Sequence, residues 1–155
     1  MAEGSLHVVL VEPEIHWNTG NTGRTCLGAG ATLHLVEPLG FSLEAKQVRR
    51  AGLDYWPRVP VETWPDWDRL EATLPAMGEP FFISPEPQRT IWDVRYPART
   101  VLVFGRETAG LPDWLRERYQ EQLVSIPMHD EGLRSLNLST AVGITLYEVL
   151  RQRRF

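Results

Sequence analysis

Short apolar runs alternate along this chain with polar loops and with segments of helical spacing. Leu6 to Val11 ends at Glu12-Pro13, Thr32 to Val36 at Glu37-Pro38, and Phe81-Phe82-Ile83 at Ser84-Pro85. Val101 to Phe104 runs into Gly105, Leu123 to Ile126 stops at Pro127, and Val59 to Val61 is a shorter run of the same kind. Apolar runs of four to six residues, closed by Gly or Pro, read as strands buried on both faces. Helical segments are expected from Asn18, as a side-chain cap, to about Gly30, and over Glu44 to Ala51, which Gly52 stops. Others are expected over Trp67 to Leu74, which Pro75 stops, after Pro112, and from about Asn137 to Gln152. The alternation predicts an α/β fold: a mainly parallel sheet with helices on both faces, in a single domain over residues 1–155.

Within the last helix, Leu138, Ala141, Val142, Thr145, Leu146, Val149 and Leu150 recur at 3/4 spacing, and Ile144 and Tyr147 widen the apolar surface beyond one stripe. One sheet face covers one side of such a helix. The excess predicts a homodimer in which residues such as Leu146 and Leu150 meet a second subunit.

Composition narrows the function. Hydrophobic residues make up 43% and charged residues 23%, which argues for a folded core over disorder. A net charge of −4 argues against indiscriminate nucleic-acid binding but leaves room for local basic patches, at Lys46, Arg49, Arg50 and Arg58 and at Arg151, Arg153 and Arg154. Either patch also reads as an ordinary solvated face. A single cysteine, Cys26, allows no internal disulfide and fits a cytoplasmic location. The four histidines have no zinc-ligand spacing, so no metal is expected. No apolar segment reaches membrane-spanning length, and none before Leu6 resembles a signal-peptide core.

Candidate chemistry concentrates in three loops that follow strands: Asn18 to Arg24, Gly105 to Leu111, and Ser135 to Ser139. Ligands of parallel sheets bind beyond the carboxyl ends of strands, where these loops fall. Singly, each reads equally well as a cap or a turn. The first loop lacks the G-x-G-x-x-G spacing of dinucleotide sites, and the chain has neither a phosphate-cradling loop ending in Lys nor a G-x-S-x-G elbow. A flavodoxin-like domain binding a flavin or nucleotide phosphate remains an alternative on these grounds alone.

Taken together, the motifs identify a family. Asn18-Thr19-Gly20-Asn21 with Arg24, Phe104-Gly105 with Glu107-Thr108 and Gly110-Leu111-Pro112, and Ile126-Pro127-Met128 followed by Arg134-Ser135-Leu136-Asn137-Leu138-Ser139 resemble the three motifs of SPOUT RNA methyltransferases. The likeness is strongest to the small tRNA (cytidine/uridine-2′-O-)-methyltransferase group that modifies the wobble nucleotide of certain leucine tRNAs. Arg49-Arg50-Ala51-Gly52-Leu53-Asp54-Tyr55 resembles that group too, and the match runs from about Leu6 to Gln152. His16-Trp17 departs from it, standing where the group usually has Pro-Pro.

The resemblance implies a deep C-terminal trefoil knot and S-adenosyl-L-methionine as cofactor. It implies cofactor contacts from Ile83, Gly105, Glu107, Ile126, Ser135 and Asn137, with Arg24 catalytic. For the tRNA substrate it implies Asn18, Arg49, Arg50 and Tyr55, with Trp17 and Trp56 as candidates for base stacking. Another RNA position, or a knot-fold RNA-binding module without catalysis, are the alternatives.

Overall fold

A computed structural model describes residues 4–43 and 54–154. The helix expected over Glu44 to Ala51, and with it Lys46, Arg49 and Arg50, lies outside the described residues. Six strands form one sheet: β1 (Ser5–Val11), β2 (Thr32–Val36), β3 (Val61–Trp64), β4 (Glu79–Ile83), β5 (Arg99–Phe104) and β6 (Leu123–Val124). Their order is β3-β2-β1-β5-β4-β6, and every neighbouring pair is parallel. The register sets Val8 opposite Leu33 on one side and Leu102 on the other, an aliphatic row across the three central strands.

Alternate residues of each strand feed two cores. Leu6, Val8, Leu10, Leu33, Leu35 and Leu102 face helices α1 (His16–Ala29) and α4 (Leu138–Arg153), whose Cys26, Val142, Leu146 and Val149 are buried against them. Val9, Val11, Val36, Val101 and Val103 face α2 (Trp67–Met77) and the short α3 (Asp113–Arg118), through Trp67, Leu70, Leu74 and Leu115. Both faces of the sheet are therefore covered by helices, which is why its strands read as unbroken apolar runs.

Several expected boundaries move. Helix α1 begins at His16 with Ile15 in the cap position, so Asn18 lies inside the helix. Pro75 does not stop α2, which runs on to Met77; in the last turn the lost N–H costs one hydrogen bond near an end that is already open. Strand β6 is two residues long, and β3 begins where the expected strand ended. Beyond β6, Ser125 is embraced by the β4–β5 connection: its N–H donates to the Arg89 carbonyl at 3.0 Å, its carbonyl accepts from Ile91 N at 2.8 Å, and its hydroxyl donates to the Pro87 carbonyl at 2.9 Å.

Leu146 and Leu150 are 0% and 4% exposed within the single chain, so they belong to its own core and are not available to a partner. The basic C-terminus is likewise occupied. Arg153 donates to the carbonyls of Ser5, Pro97 and Ala98, and Arg151 pairs with Glu148. Cys26 is fully buried, and burial pushes its thiol up to about 12, so it is chemically inert.

A directed polar chain crosses the α2 face of the sheet. Trp64 Nε1 donates to His34 Nδ1 at 3.0 Å, so the His34 proton sits on Nε2 and is donated to His7 Nδ1 at 2.9 Å. Glu62 lies 3.6 Å from the same Nδ1, but that nitrogen already accepts the indole proton, so the contact is not an ion pair. Burial, reinforced by His7, lowers His34 to about 4. A histidine held neutral in the fold stabilises it fully above the unfolded value near 6.5, and that stabilisation is lost as pH falls from there towards 4. Urea unfolding should show a loss on the order of 3 kcal/mol across this window. A His34→Phe chain should lose most of that slope.

Candidate active site

At the carboxyl edge of the sheet, the loops after β4, β5 and β6 enclose a cavity of about 390 Å³. Its wall is apolar at Ile83, Phe104, Leu111, Ile126 and Leu138 and polar at Ser84, Glu86, Glu107, Thr108, Arg116 and Ser135. The loop after β5 folds back on itself: Arg106 N donates to the Gly110 carbonyl at 3.2 Å and Gly110 N to the Arg106 carbonyl at 2.9 Å. A Cβ on Gly105 would come within 2.0 Å of the Gly110 carbonyl carbon. Only glycine lets the loop close, which leaves backbone groups along the cavity wall.

Five of the six residues expected to contact a cofactor line this cavity: Ile83, Gly105, Glu107, Ile126 and Ser135. Asn137 is not among the lining residues. It caps α4, its Oδ1 accepting from Ser139 N at 3.0 Å and Thr140 N at 3.4 Å, while its Nδ2 donates to Asn18 Oδ1 at 3.1 Å. Asn18 in turn donates to Glu107 Oε2 at 3.3 Å. The three motifs, far apart in sequence, thus meet in one hydrogen-bonded line.

Glu107 does more than line the cavity. Its carboxylate accepts Glu14 N at 2.8 Å and Ile15 N at 2.9 Å, filling the cap role that no side chain of α1 itself performs. The grip is reciprocal. Glu14 accepts from Thr108 N at 3.0 Å and Thr108 Oγ1 at 2.8 Å, which draws the Glu14 carboxyl below its ordinary pKa. Arg106 pairs with Glu12 at 2.6 Å. The β1–α1 and β5–α3 loops are clasped together by these contacts, which no spacing in the sequence could reveal.

The residues expected to meet the substrate fall into two groups. Asn18 is 3% exposed, with both ends of its amide occupied as described, so it sits behind the cavity rather than on the surface. Tyr55 donates its hydroxyl to the Gly20 carbonyl at 2.8 Å, and its ring lies 5.6 Å from the Arg24 guanidinium carbon, within cation–π range. Trp56 packs on α1, where a Cβ on Gly23 would approach its ring to 2.6 Å; this close packing explains a glycine in mid-helix. Arg24 and Trp17 are exposed, Trp17 at 58% with His16 edge-on to its ring. Arg49 and Arg50 lie outside the described residues. Arg24 does not line the cavity, and at ~1.5 Å per residue it stands about 12 Å along the axis from the start of α1.

An all-parallel sheet with a glycine-closed loop and a half-polar cavity at its carboxyl edge defines an α/β protein built to hold a small ligand of mixed polarity. The chain belongs to the SpoU rRNA Methylase family, whose model matches residues 5–147. It is 44% identical over 151 residues to the tRNA (cytidine(34)-2'-O)-methyltransferase of Acidovorax sp. (strain JS42), covering 96% of this chain and 93% of that protein. A solved structure concerned with the 2-OH methylation of C/U34 on tRNA superposes with a TM-score of 0.89 at 38% identity, covering 97% of each chain. The SpoU methyltransferase AviRb from Streptomyces viridochromogenes, in complex with the cofactor AdoMet, superposes with a TM-score of 0.80 at 27% identity, over 99% of this chain and 62% of that one. Among the described residues no helix is long and apolar enough to cross a membrane.

If Glu107 is structural as well as ligand-facing, its removal must cost stability without any ligand present. Glu107→Ala strands the N–H groups of Glu14 and Ile15 and the Asn18 amide, and should destabilise the chain by about 2 kcal/mol in urea unfolding. Glu107→Gln, which keeps one acceptor, should cost less.

Proposed function

We propose that this protein transfers the methyl group of S-adenosyl-L-methionine to the ribose 2′-OH of the pyrimidine at wobble position 34 of tRNA, with leucine tRNAs as substrates. The observation that carries this reading is the cavity, whose glycine-closed loop and five lining residues coincide with the cofactor motifs, in a chain 44% identical to a tRNA (cytidine(34)-2'-O)-methyltransferase. The cavity fits the cofactor chemically. An adenosine needs an apolar slot with a few backbone hydrogen bonds, which Ile83, Ile126 and the backbone at Gly105 offer. The bound cofactor supplies an electrophilic methyl group; the protein's part is to align the acceptor oxygen and stabilise its developing charge.

Arg24 is the residue we assign to that charge. A guanidinium keeps its proton in proteins, so its role is electrostatic: it holds the nascent alkoxide or the adjacent phosphate, and the proton leaves to water or a phosphate oxygen. Tyr55 orients it from beneath. Asn18 and Asn137 act on this reading as positioning residues that fix the motif loops, while Arg49 and Arg50 contact the tRNA. In the same reading the segment after Ile126 threads the β4–β5 connection as a trefoil knot, which the hydrogen bonds wrapped around Ser125 support.

The protein acts as a homodimer in this proposal, through a different surface of α4 from the one expected. Thr140, Ile144, Tyr147 and Arg151 form an exposed stripe on α4, and Trp17, Asn21, Arg24 and Gly28 form another on α1. Gly28 and Tyr147 bring the two stripes together, since a Cβ on Gly28 would lie 3.7 Å from the tyrosine hydroxyl. Three large apolar side chains, Trp17, Ile144 and Tyr147, are 58%, 39% and 45% exposed there. At about 25 cal/mol per Å² their burial drives association, and a second copy brings another Arg24 into the interface. Sedimentation should give a dimer at micromolar concentration, and Ile144→Glu should give a folded monomer. A wild-type monomer under those conditions would remove the dimer from the proposal.

The test of function is incubation with labelled S-adenosylmethionine and tRNA, followed by nucleoside analysis for 2′-O-methylcytidine and 2′-O-methyluridine. Arg24→Ala should slow single-turnover methylation by about a hundredfold or more, on the order of 3 kcal/mol, with little change in cofactor affinity. Arg24→Lys, which keeps the charge without the fork, should recover part of the rate. Near-normal turnover of Arg24→Ala would take this residue out of the mechanism.

A further inference from the structure

One section of the cavity wall carries charges that the adenosine slot and the acceptor site do not use. Glu86, just after β4, and Arg116, in α3, both line the cavity and pair with each other in its wall. Ser84, also in the wall, donates its hydroxyl to Glu86, and Arg116 reaches Asp113 as well. Of the other charged lining groups, Arg106 is paired with Glu12 and Glu107 is occupied by the N-terminus of α1, while Arg134, in the loop before α4, is exposed. The Arg116–Glu86 pair therefore sets a cation and an anion side by side in one section of the cavity wall.

Both partners can change hands at little cost. The side chains of Arg116, Glu86 and Asp113 are 32%, 50% and 83% exposed, and ion pairs this open contribute little stability. Arg116 also has a donor in reserve, because its Nε–H is buried without a hydrogen-bond partner. A carboxylate arriving from the cavity can replace the exposed Asp113 and offer that guanidinium a bidentate acceptor. An ammonium arriving beside it finds the Glu86 carboxylate, which Ser84 holds in place.

We propose that Arg116 and Glu86 form the subsite for an α-amino acid end of the ligand, Arg116 taking the carboxylate and Glu86 the ammonium. This rests on the reading of the cavity as an S-adenosylmethionine site and deepens it: the adenosine occupies the apolar section, and the two charged side chains select the zwitterionic tail. The pair makes the protein discriminate between nucleosides that carry an amino-acid tail and those that lack one.

Calorimetry with three nucleosides separates the possibilities: S-adenosylhomocysteine, its decarboxylated analogue that keeps only the amine, and 5′-methylthioadenosine, which has neither group. Wild-type protein should bind S-adenosylhomocysteine about tenfold or more tighter than methylthioadenosine, as charge-assisted hydrogen bonds to a charged tail require. Arg116→Gln should lose about tenfold in affinity for S-adenosylhomocysteine while keeping that for the other two nucleosides. Glu86→Gln should weaken both amine-bearing nucleosides and leave methylthioadenosine unchanged, and that unchanged binding also shows each variant is folded. Wild-type protein that binds all three equally would leave the cavity reading standing and remove the tail subsite. So would variants that weaken all three alike. Wild-type protein that binds none of them would overturn the cavity reading itself.

Discussion

The carboxylate of Glu107 stands where α1 begins, accepting the backbone N–H groups of Glu14 and Ile15. A negative charge is favoured at that place by the helix dipole, and an unfilled cap there would leave buried donors stranded. Because Glu107 belongs to the loop after β5, one charge fixes the entry of α1 and the shape of the cavity rim together. Asn18 and Asn137 extend the same constraint to the cap of α4. The three loops of the site share hydrogen-bond partners, and each loop taken alone is short and irregular.

This arrangement separates two kinds of residue along α1. Positions facing inward, such as Asn18 and Gly23, answer to the cavity loops and to Trp56. Positions facing outward, Trp17, Asn21 and Arg24, answer to whatever lies outside the chain. His16-Trp17, the departure from the motif of similar enzymes, begins at the solvent-facing start of the helix and leaves the Glu107 contacts intact. A change of that kind alters the outer surface of α1 and spares the contacts that join α1 to the cavity loops.

Much of the fold was legible because both sheet faces are covered. Continuous apolar runs ended by Gly or Pro marked the strands, and the alternation with helical segments predicted the parallel sheet. What the sequence could not show are contacts that depend on residues remote in the chain. Asn18 read as a cap because capping is its commonest local use, yet its partners lie 89 and 119 residues away. Leu146 and Leu150 read as candidates for an interface because a helical stripe does not say which side meets the sheet; both proved to be core. Glu86 and Arg116 carried no signal at all, being two ordinary charged residues 30 positions apart until the fold paired them in one cavity wall.

The embrace of Ser125 has a consequence for how the protein comes into being. Its hydroxyl partners in the β4–β5 connection are 36 and 38 residues earlier in the chain, and the loop that holds it forms one wall of the cavity. Closing contacts over such a separation costs conformational entropy that no local helix has to meet. The ligand cavity is thus built from pieces remote in the chain, and it exists as a surface only where these contacts have been made. Ligand affinity becomes a measure of completion: only molecules that have finished folding can be held, and the ligand in turn draws the population towards that finished state.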